Sequence, residues 1–109
     1  MNDPTPADDP KGNDMGDGGA PVVREVEIIN KLGLHARAAM KFVQTAEQFN
    51  AAITVSRGEE SADGTSILDL LMFAAGPGST IIISAAGKEA AAAVEALSAL
   101  VANRFGEDE

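Results

Sequence analysis

Hydrophobic and polar positions fall into a regular order only from Pro21 onward. Residues 22–29 are rich in β-branched side chains, with Val22, Val26 and Ile28 on one face of an alternating pattern, and this predicts a strand. Residues 30–34 read as a turn or loop. Ala39, Phe42, Val43, Ala46 and Phe49 then recur at helical spacing, with Arg37, Lys41, Gln44 and Gln48 elsewhere, which predicts an amphipathic helix over 36–49 that Asn50 stops. Residues 53–57 and 59–63 flank Gly58 as a hairpin whose second strand is weak and polar. A short helix over 66–74 is ended by Gly76-Pro77-Gly78. Residues 80–85 form the strongest strand, and the run Ile81-Ile82-Ile83 implies burial on more than one side. From Gly87 to about Arg104 runs an alanine-rich helix with Ala90, Val94, Leu97 and Val101 in one stripe.

The order β-α-β-β-α-β-α suits an α+β domain in which helices pack on one face of a four-stranded sheet. At 109 residues and 45% hydrophobic composition there is room for one domain and one core. That domain is expected over 21–106, between an acidic tail (1–20) and a short acidic end (107–109). The tail carries five acids against Lys11, together with Pro4, Pro6, Pro10 and four glycines, and has almost nothing apolar to bury. Such a segment cannot offset its ordering entropy and is expected to be disordered. Met15 offers an alternative translation start within it.

The net charge of −9 sits mostly at those two ends, and the body is nearly neutral. Without a basic stripe to hold a phosphate backbone, nucleic-acid binding is not expected. There is no cysteine, so neither disulfides nor a thiolate metal site can form. The N-terminus lacks a signal-peptide pattern, and the apolar run 67–75 is interrupted by Asp69 and too short for membrane insertion. A soluble, cytoplasmic chain is expected.

The chemistry concentrates in Lys31-Leu32-Gly33-Leu34-His35-Ala36-Arg37-Ala38-Ala39-Met40, which holds the only histidine of the chain. His35 falls where strand and turn hand over to a helix. A helix start presents unpaired backbone N–H groups and the positive end of the macrodipole, a ready anion site. One histidine cannot build a multi-histidine metal site, and no G-x-S-x-G elbow exists for a serine triad. His35 is left as a nucleophile or as a plain helix-cap residue.

This stretch resembles the active-site signature of the HPr family, the histidine-containing phosphocarriers of the phosphoenolpyruvate-dependent phosphotransferase system. The resemblance covers about residues 22–105. It implies an open-faced sandwich of four antiparallel strands with three helices on one side. It implies that His35 takes a phosphoryl group on a ring nitrogen from enzyme I and passes it to an enzyme IIA-type acceptor, with Arg37 orienting and neutralising that group. The backbone N–H groups of Ala36 and Arg37 would complete the cradle. No cofactor is implied, and a monomer is expected. The commonest form of the motif has proline after the arginine where this chain has Ala38, an excellent helix former, so the helix can begin without it.

Ser66 lies 31 residues after His35, the interval that separates the active histidine from the regulatory serine in the family. The resemblance therefore names an HPr kinase/phosphorylase as a partner. Read locally, Ser66-Ile67-Leu68-Asp69 is instead a helix N-cap with an acid three residues on, a variant of the capping box. Asp69 would also repel a phosphate on Ser66. The following helix is apolar nearly all round: Ile67, Leu70, Leu71 and Ala74 make one stripe, and Leu68, Met72 and Ala75 another. In the family this helix and the start of the first one dock partners, which implies a surface of Met40, Ile67, Leu68 and Met72; the bland alternative is that these residues fill the core. The segments Asn30-Lys31-Leu32-Gly33 and Arg104-Phe105-Gly106-Glu107-Asp108 are most similar to proteobacterial members, some of which (the NPr type) serve regulatory relays rather than sugar uptake. Competing readings are an acyl-carrier-like protein with Ser66 opening a helix, disfavoured by the β-rich segments, and a non-catalytic interaction module in which His35 is only a cap.

Overall fold

The computed structural model describes residues 20–109, so the expected disorder of the acidic tail falls almost wholly outside the described residues. Its elements are β1 (Val22–Glu27), α1 (Ala36–Ala46), β2 (Ala52–Arg57), β3 (Glu60–Asp63), α2 (Ile67–Phe73), β4 (Thr80–Ala86), α3 (Ala90–Ala102) and a 3₁₀ turn (Arg104–Gly106). The strands form one antiparallel sheet in the order β1-β4-β2-β3. In it Val22 faces Ala85, Val55 faces Ile83 and Val55 also faces Ala62.

One face of the sheet supplies Ile53, Val55, Ala62, Ile81, Ile83 and Ala85 to a single core, completed by Phe42 of α1, Leu70 of α2 and Val94, Leu97 and Val101 of α3. Val22 and Val26 are half-buried against that core, and Ile28 just beyond β1 is fully buried. This is the α+β open-faced sandwich expected from the element order. A four-stranded sheet is incompatible with an all-helical acyl-carrier bundle.

The isoleucine run behaves differently from expectation. β4 is a central strand, yet Ile81 and Ile83 are buried while Ile82 is only partly covered, lying between Glu25 of β1 and Ser56 of β2 on the open face. Successive side chains of a strand point to opposite faces, so three isoleucines in a row cannot all enter a core that lies on one side.

Helix ends also shift from the periodicity estimate. α1 stops at Ala46, and residues 47–49 close it with tighter bonds, Gln48 N–H to the Thr45 carbonyl and Phe49 N–H to that of Ala46. Phe49 still packs against the core. α3 begins at Ala90, not Gly87, because residues 87–89 form the turn that locks against residues 50–51. Gly87 has φ +127°, and a Cβ there would lie 3.1 Å from both Ala51 Cα and the Asn50 carbonyl oxygen, so glycine is needed on both counts.

In α2 the buried residues are Leu70 and Phe73, one turn apart. Ile67 and Leu71 lie at its margin and are exposed, while Leu68 and Met72 point to solvent at 66% and 76% exposure. The expected first stripe is therefore shifted, with Phe73 in place of Ile67 and Leu71. Ala75 is corrected as well: it lies past the helix, buried, and its carbonyl accepts the Leu34 N–H.

Candidate functional site

The loop before α1 is built to place His35. Asn30 and Gly33 close a turn, Gly33 N–H donating to the Asn30 carbonyl at 3.2 Å and the buried Asn30 side chain donating from Nδ2 to the Gly33 carbonyl at 2.8 Å. Gly33 sits at φ +67°, and a Cβ there would lie 2.8 Å from the Ala75 carbonyl oxygen and 2.9 Å from Gly76 Cα. The loop is thus pressed onto the segment following α2, and only glycine satisfies both the backbone conformation and the close approach.

His35 is the N-cap of α1, in extended conformation at φ −81° and ψ −176°, and its side chain makes no capping hydrogen bond. The helix opens with Ala39 N–H on the His35 carbonyl at 2.8 Å. Helix geometry leaves the earlier N–H groups, including those of Ala36 and Arg37, without intrahelical acceptors. The first turn holds no acidic residue to occupy the positive end of the dipole.

The imidazole finds its hydrogen-bond partner outside its own helix. Nε2 lies 2.5 Å from Glu107 Oε2, an approach across 72 positions of sequence. Glu107 Oε1 accepts a second bond, at 3.0 Å, from Asn30 Nδ2. Burial on its own pushes the Glu107 carboxyl up, but hydrogen bonds from His35 and Asn30 and the charges of His35 and Lys41 outweigh it, and the group stays below the usual carboxylate range. An ionised carboxylate only accepts, so Nε2 carries the donated hydrogen, and in the neutral form of the ring Nδ1 keeps the lone pair.

An open cleft of about 630 Å³ runs past the ring, lined by Lys31, Leu32, His35, Ala36, Arg37, Glu107 and Glu109. Arg37 lies on its wall, exposed, with no ion pair to another described residue. Lys31 pairs with Glu109 at 3.3 Å and donates its N–H to the Glu109 carbonyl. The structure therefore brings His35, Ala36 and Arg37 to one cleft. Met40, 45% exposed, is on α1 nearby, and Ile67, Leu68 and Met72 are exposed on α2.

Ser66 is separate from this cleft and acts as the N-cap of α2, its Oγ accepting the Asp69 N–H at 3.1 Å. The capping box is not reciprocal: Asp69 Oδ2 reaches past the Ser66 N–H to that of Asp63, at 3.3 Å, while the Ser66 N–H bonds the Asp63 carbonyl. Asp63 in turn accepts the Thr65 N–H and hydroxyl at 2.9 and 2.8 Å, and these bonds hold its carboxyl below the usual range against the opposing effect of burial.

Two site residues escape sequence reasoning. Asn30 reads as an ordinary turn residue and Glu107 as part of an acidic end. The only local sign is that Asn30 precedes Gly33 by the spacing of a closed turn. No three of the described His, Cys, Asp or Glu side chains cluster so as to hold a metal ion, and no helix among the described residues is long and apolar enough to cross a membrane.

The family profile described as "PTS HPr component phosphorylation site" matches residues 22–103. Phosphocarrier protein HPr of Cupriavidus necator is 48% identical over 86 residues, covering 79% of this chain and 97% of that protein. Phosphocarrier protein NPr of Shewanella violacea is 49% identical over 84 residues, covering 77% of this chain and 92% of that protein. Among solved structures, HPr-C-His from Thermoanaerobacter tengcongensis superposes with a TM-score of 0.78 at 35% identity, over 81% of this chain and 99% of that one. With its fold, its histidine at an open helix start and these relatives in agreement, the chain belongs to the HPr family of phosphocarriers of the phosphotransferase system.

Proposed function

We propose that His35 accepts a phosphoryl group on Nδ1 from phosphorylated enzyme I and passes it to an enzyme IIA-type acceptor, in sugar uptake or in a regulatory relay. The observation that carries this reading is the Nε2–Glu107 contact, which leaves Nδ1 as the nucleophilic nitrogen of a ring carried by the open N-cap of α1. In the transfer the Nδ1 lone pair forms the bond to phosphorus as the donor's bond breaks, and the donor keeps that electron pair. The N–H groups of Ala36 and Arg37 and the Arg37 guanidinium are suited to the phosphoryl oxygens. Such a reaction depends on in-line placement and charge neutralisation more than on acid–base groups, so a small acceptor domain suffices. The exposed side chains of Met40, Ile67, Leu68 and Met72 supply an apolar surface for the partners, and the chain acts as a cytoplasmic monomer.

For Ser66 the geometry favours the capping role. Its hydroxyl is spent on the Asp69 N–H, and the Asp69 and Asp63 carboxylates beside it oppose an added phosphate. An HPr kinase/phosphorylase is accordingly the less favoured partner.

Incubation with phosphoenolpyruvate and a cognate enzyme I tests the main reading. Intact mass should show one phosphoryl adduct, acid-labile and base-stable, that is lost in His35→Ala; an adduct retained in that variant would overturn it. Offering the phosphorylated protein a sugar-type and a nitrogen-type IIA acceptor side by side then identifies the relay.

A further inference from the structure

We infer that Glu107 is a positioning residue for phosphoryl transfer at His35, clamped in place by the buried amide of Asn30; the inference rests on the phosphocarrier reading given above. Asn30 is fully buried, and its Nδ2 spends one bond on the Gly33 carbonyl and the other on Glu107 Oε1. The two carboxylate oxygens therefore do different work: Oε1 is anchored to the loop that carries His35, and Oε2 is aimed at the ring.

The segment 104–109 is itself fastened for this purpose. Arg104 and Phe105 are both left-handed, at φ +57° and +55°, which turns the chain back toward the loop. The Phe105 side chain is fully buried in the core, and its carbonyl accepts Lys41 Nζ at 2.7 Å. Lys31 holds the Glu109 backbone two residues further on. A carboxylate placed by a buried aromatic, a lysine and a buried amide is a built feature, unlike a mobile surface acid.

Two consequences follow for the reaction. Before transfer, acceptance of Nε2–H by Glu107 fixes the tautomer and ring orientation in which Nδ1 is the nucleophile. During transfer Nδ1 forms its bond to phosphorus while the proton stays on Nε2, so the ring takes up positive charge 2.5 Å from the carboxylate. In the onward step the N–P bond breaks, its electron pair returns to Nδ1, and the ring leaves as neutral imidazole with Nε2–H intact. No proton has to enter or leave at either stage.

The test combines ¹⁵N NMR of the His35 ring with the kinetics of transfer from phosphorylated enzyme I, in full-length Glu107→Ala, Glu107→Gln and Asn30→Ala. In the wild type the neutral ring should be the Nε2–H tautomer alone. Glu107→Ala should give a tautomer mixture and lower kcat about tenfold with KM within about twofold, since ring geometry and not docking is disturbed. Glu107→Gln, which keeps an acceptor oxygen but no charge, should restore the tautomer and only part of the rate; Asn30→Ala, if it folds, should resemble Glu107→Ala. A Glu107→Ala protein that is phosphorylated on His35 with unchanged tautomer and unchanged kcat would overturn the inference and leave the phosphocarrier reading standing. Absence of phosphate on wild-type His35 would overturn both.

Discussion

Two helices of this chain open on a polar side chain in the extended N-cap conformation and use it in opposite ways. At α2 the Ser66 hydroxyl accepts the Asp69 N–H, and Asp63 and Asp69 occupy further donors around the turn. At α1 the His35 ring caps nothing, no acid occupies the first turn, and the ring is held from outside the helix by Glu107. A missing N-cap bond costs about 1 kcal/mol. The loop pinned by Gly33 and the fastened 104–109 segment hold the α1 start in place without one. One start closes on itself and fixes the fold; the other is left open, which suits an incoming anion.

Removing the ring should break the comparison most sharply. His35→Ala should accept no phosphate from enzyme I, because no second imidazole exists in the chain, and yet should fold, since no cap bond is lost. His35→Ser should be equally inactive but should convert the open start into a closed one, and urea melts should find it about 1 kcal/mol more stable than His35→Ala. Equal stability of the two would show that the α1 start cannot accommodate a cap. Arg37 should matter less: Arg37→Ala slows transfer, and Arg37→Lys recovers part of the rate because it keeps the charge but not the planar fork. Rapid-quench measurement of transfer from enzyme I checks this, and an unchanged rate in Arg37→Ala would remove the guanidinium from the site.

The contrast also explains what could be read from the sequence. The Ser66 start is local, with every partner within six positions, so a short motif revealed it. Only the Asp69 partner differs from the capping-box pattern, because the Asp63–Thr65 turn brings another N–H within reach. The helical stripes in α1 and α3 were legible because a 3.6-residue period survives any tertiary arrangement. His35 itself was legible from its neighbours. Its partner was not: Glu107 is one of three consecutive acids with no period, and it arrives only because two left-handed residues after α3 redirect the chain. Ile82, and Ile67 and Leu71 on the inner stripe of α2, differ from expectation for a related reason, since composition records how apolar a segment is and not which side the core lies on.

A variant on the α2 flank sharpens the comparison further. Leu68 is 66% exposed, so Leu68→Asp should melt close to the wild type while raising the KM of enzyme I for this carrier. Unfolding would show that the residue is core, and an unchanged KM would show that it docks nothing. Ser66→Ala should do the reverse, costing about 1 kcal/mol of stability and leaving phosphorylation of His35 nearly intact. Ser66→Asp keeps a capping oxygen and should fold, but its charge beside Asp69 should weaken transfer.

The smallest effect is an acid one, and each helix start contributes to it. Asp63 and Glu107 both have carboxyls held below their ordinary values, by the Thr65 hydrogen bonds in one case and, against burial, by His35, Asn30 and Lys41 in the other. A carboxyl whose folded value is depressed binds protons more readily in the unfolded chain. Its contribution to stability is therefore complete above the unfolded values of 3.8 and 4.5 and is lost as pH falls through the folded ones. The contribution of these two carboxyls should stay constant between neutrality and about pH 5 and should then be lost on further acidification, lowering the melting temperature. Asp63→Asn should flatten part of that decline without touching transfer from enzyme I at neutral pH. Glu107→Gln should flatten another part and slow transfer as well, because only at α1 does the depressed carboxyl hold the His35 ring, the proposed phosphoryl acceptor. Identical transfer rates in the two variants would mean that the open start and the closed one differ in stability alone.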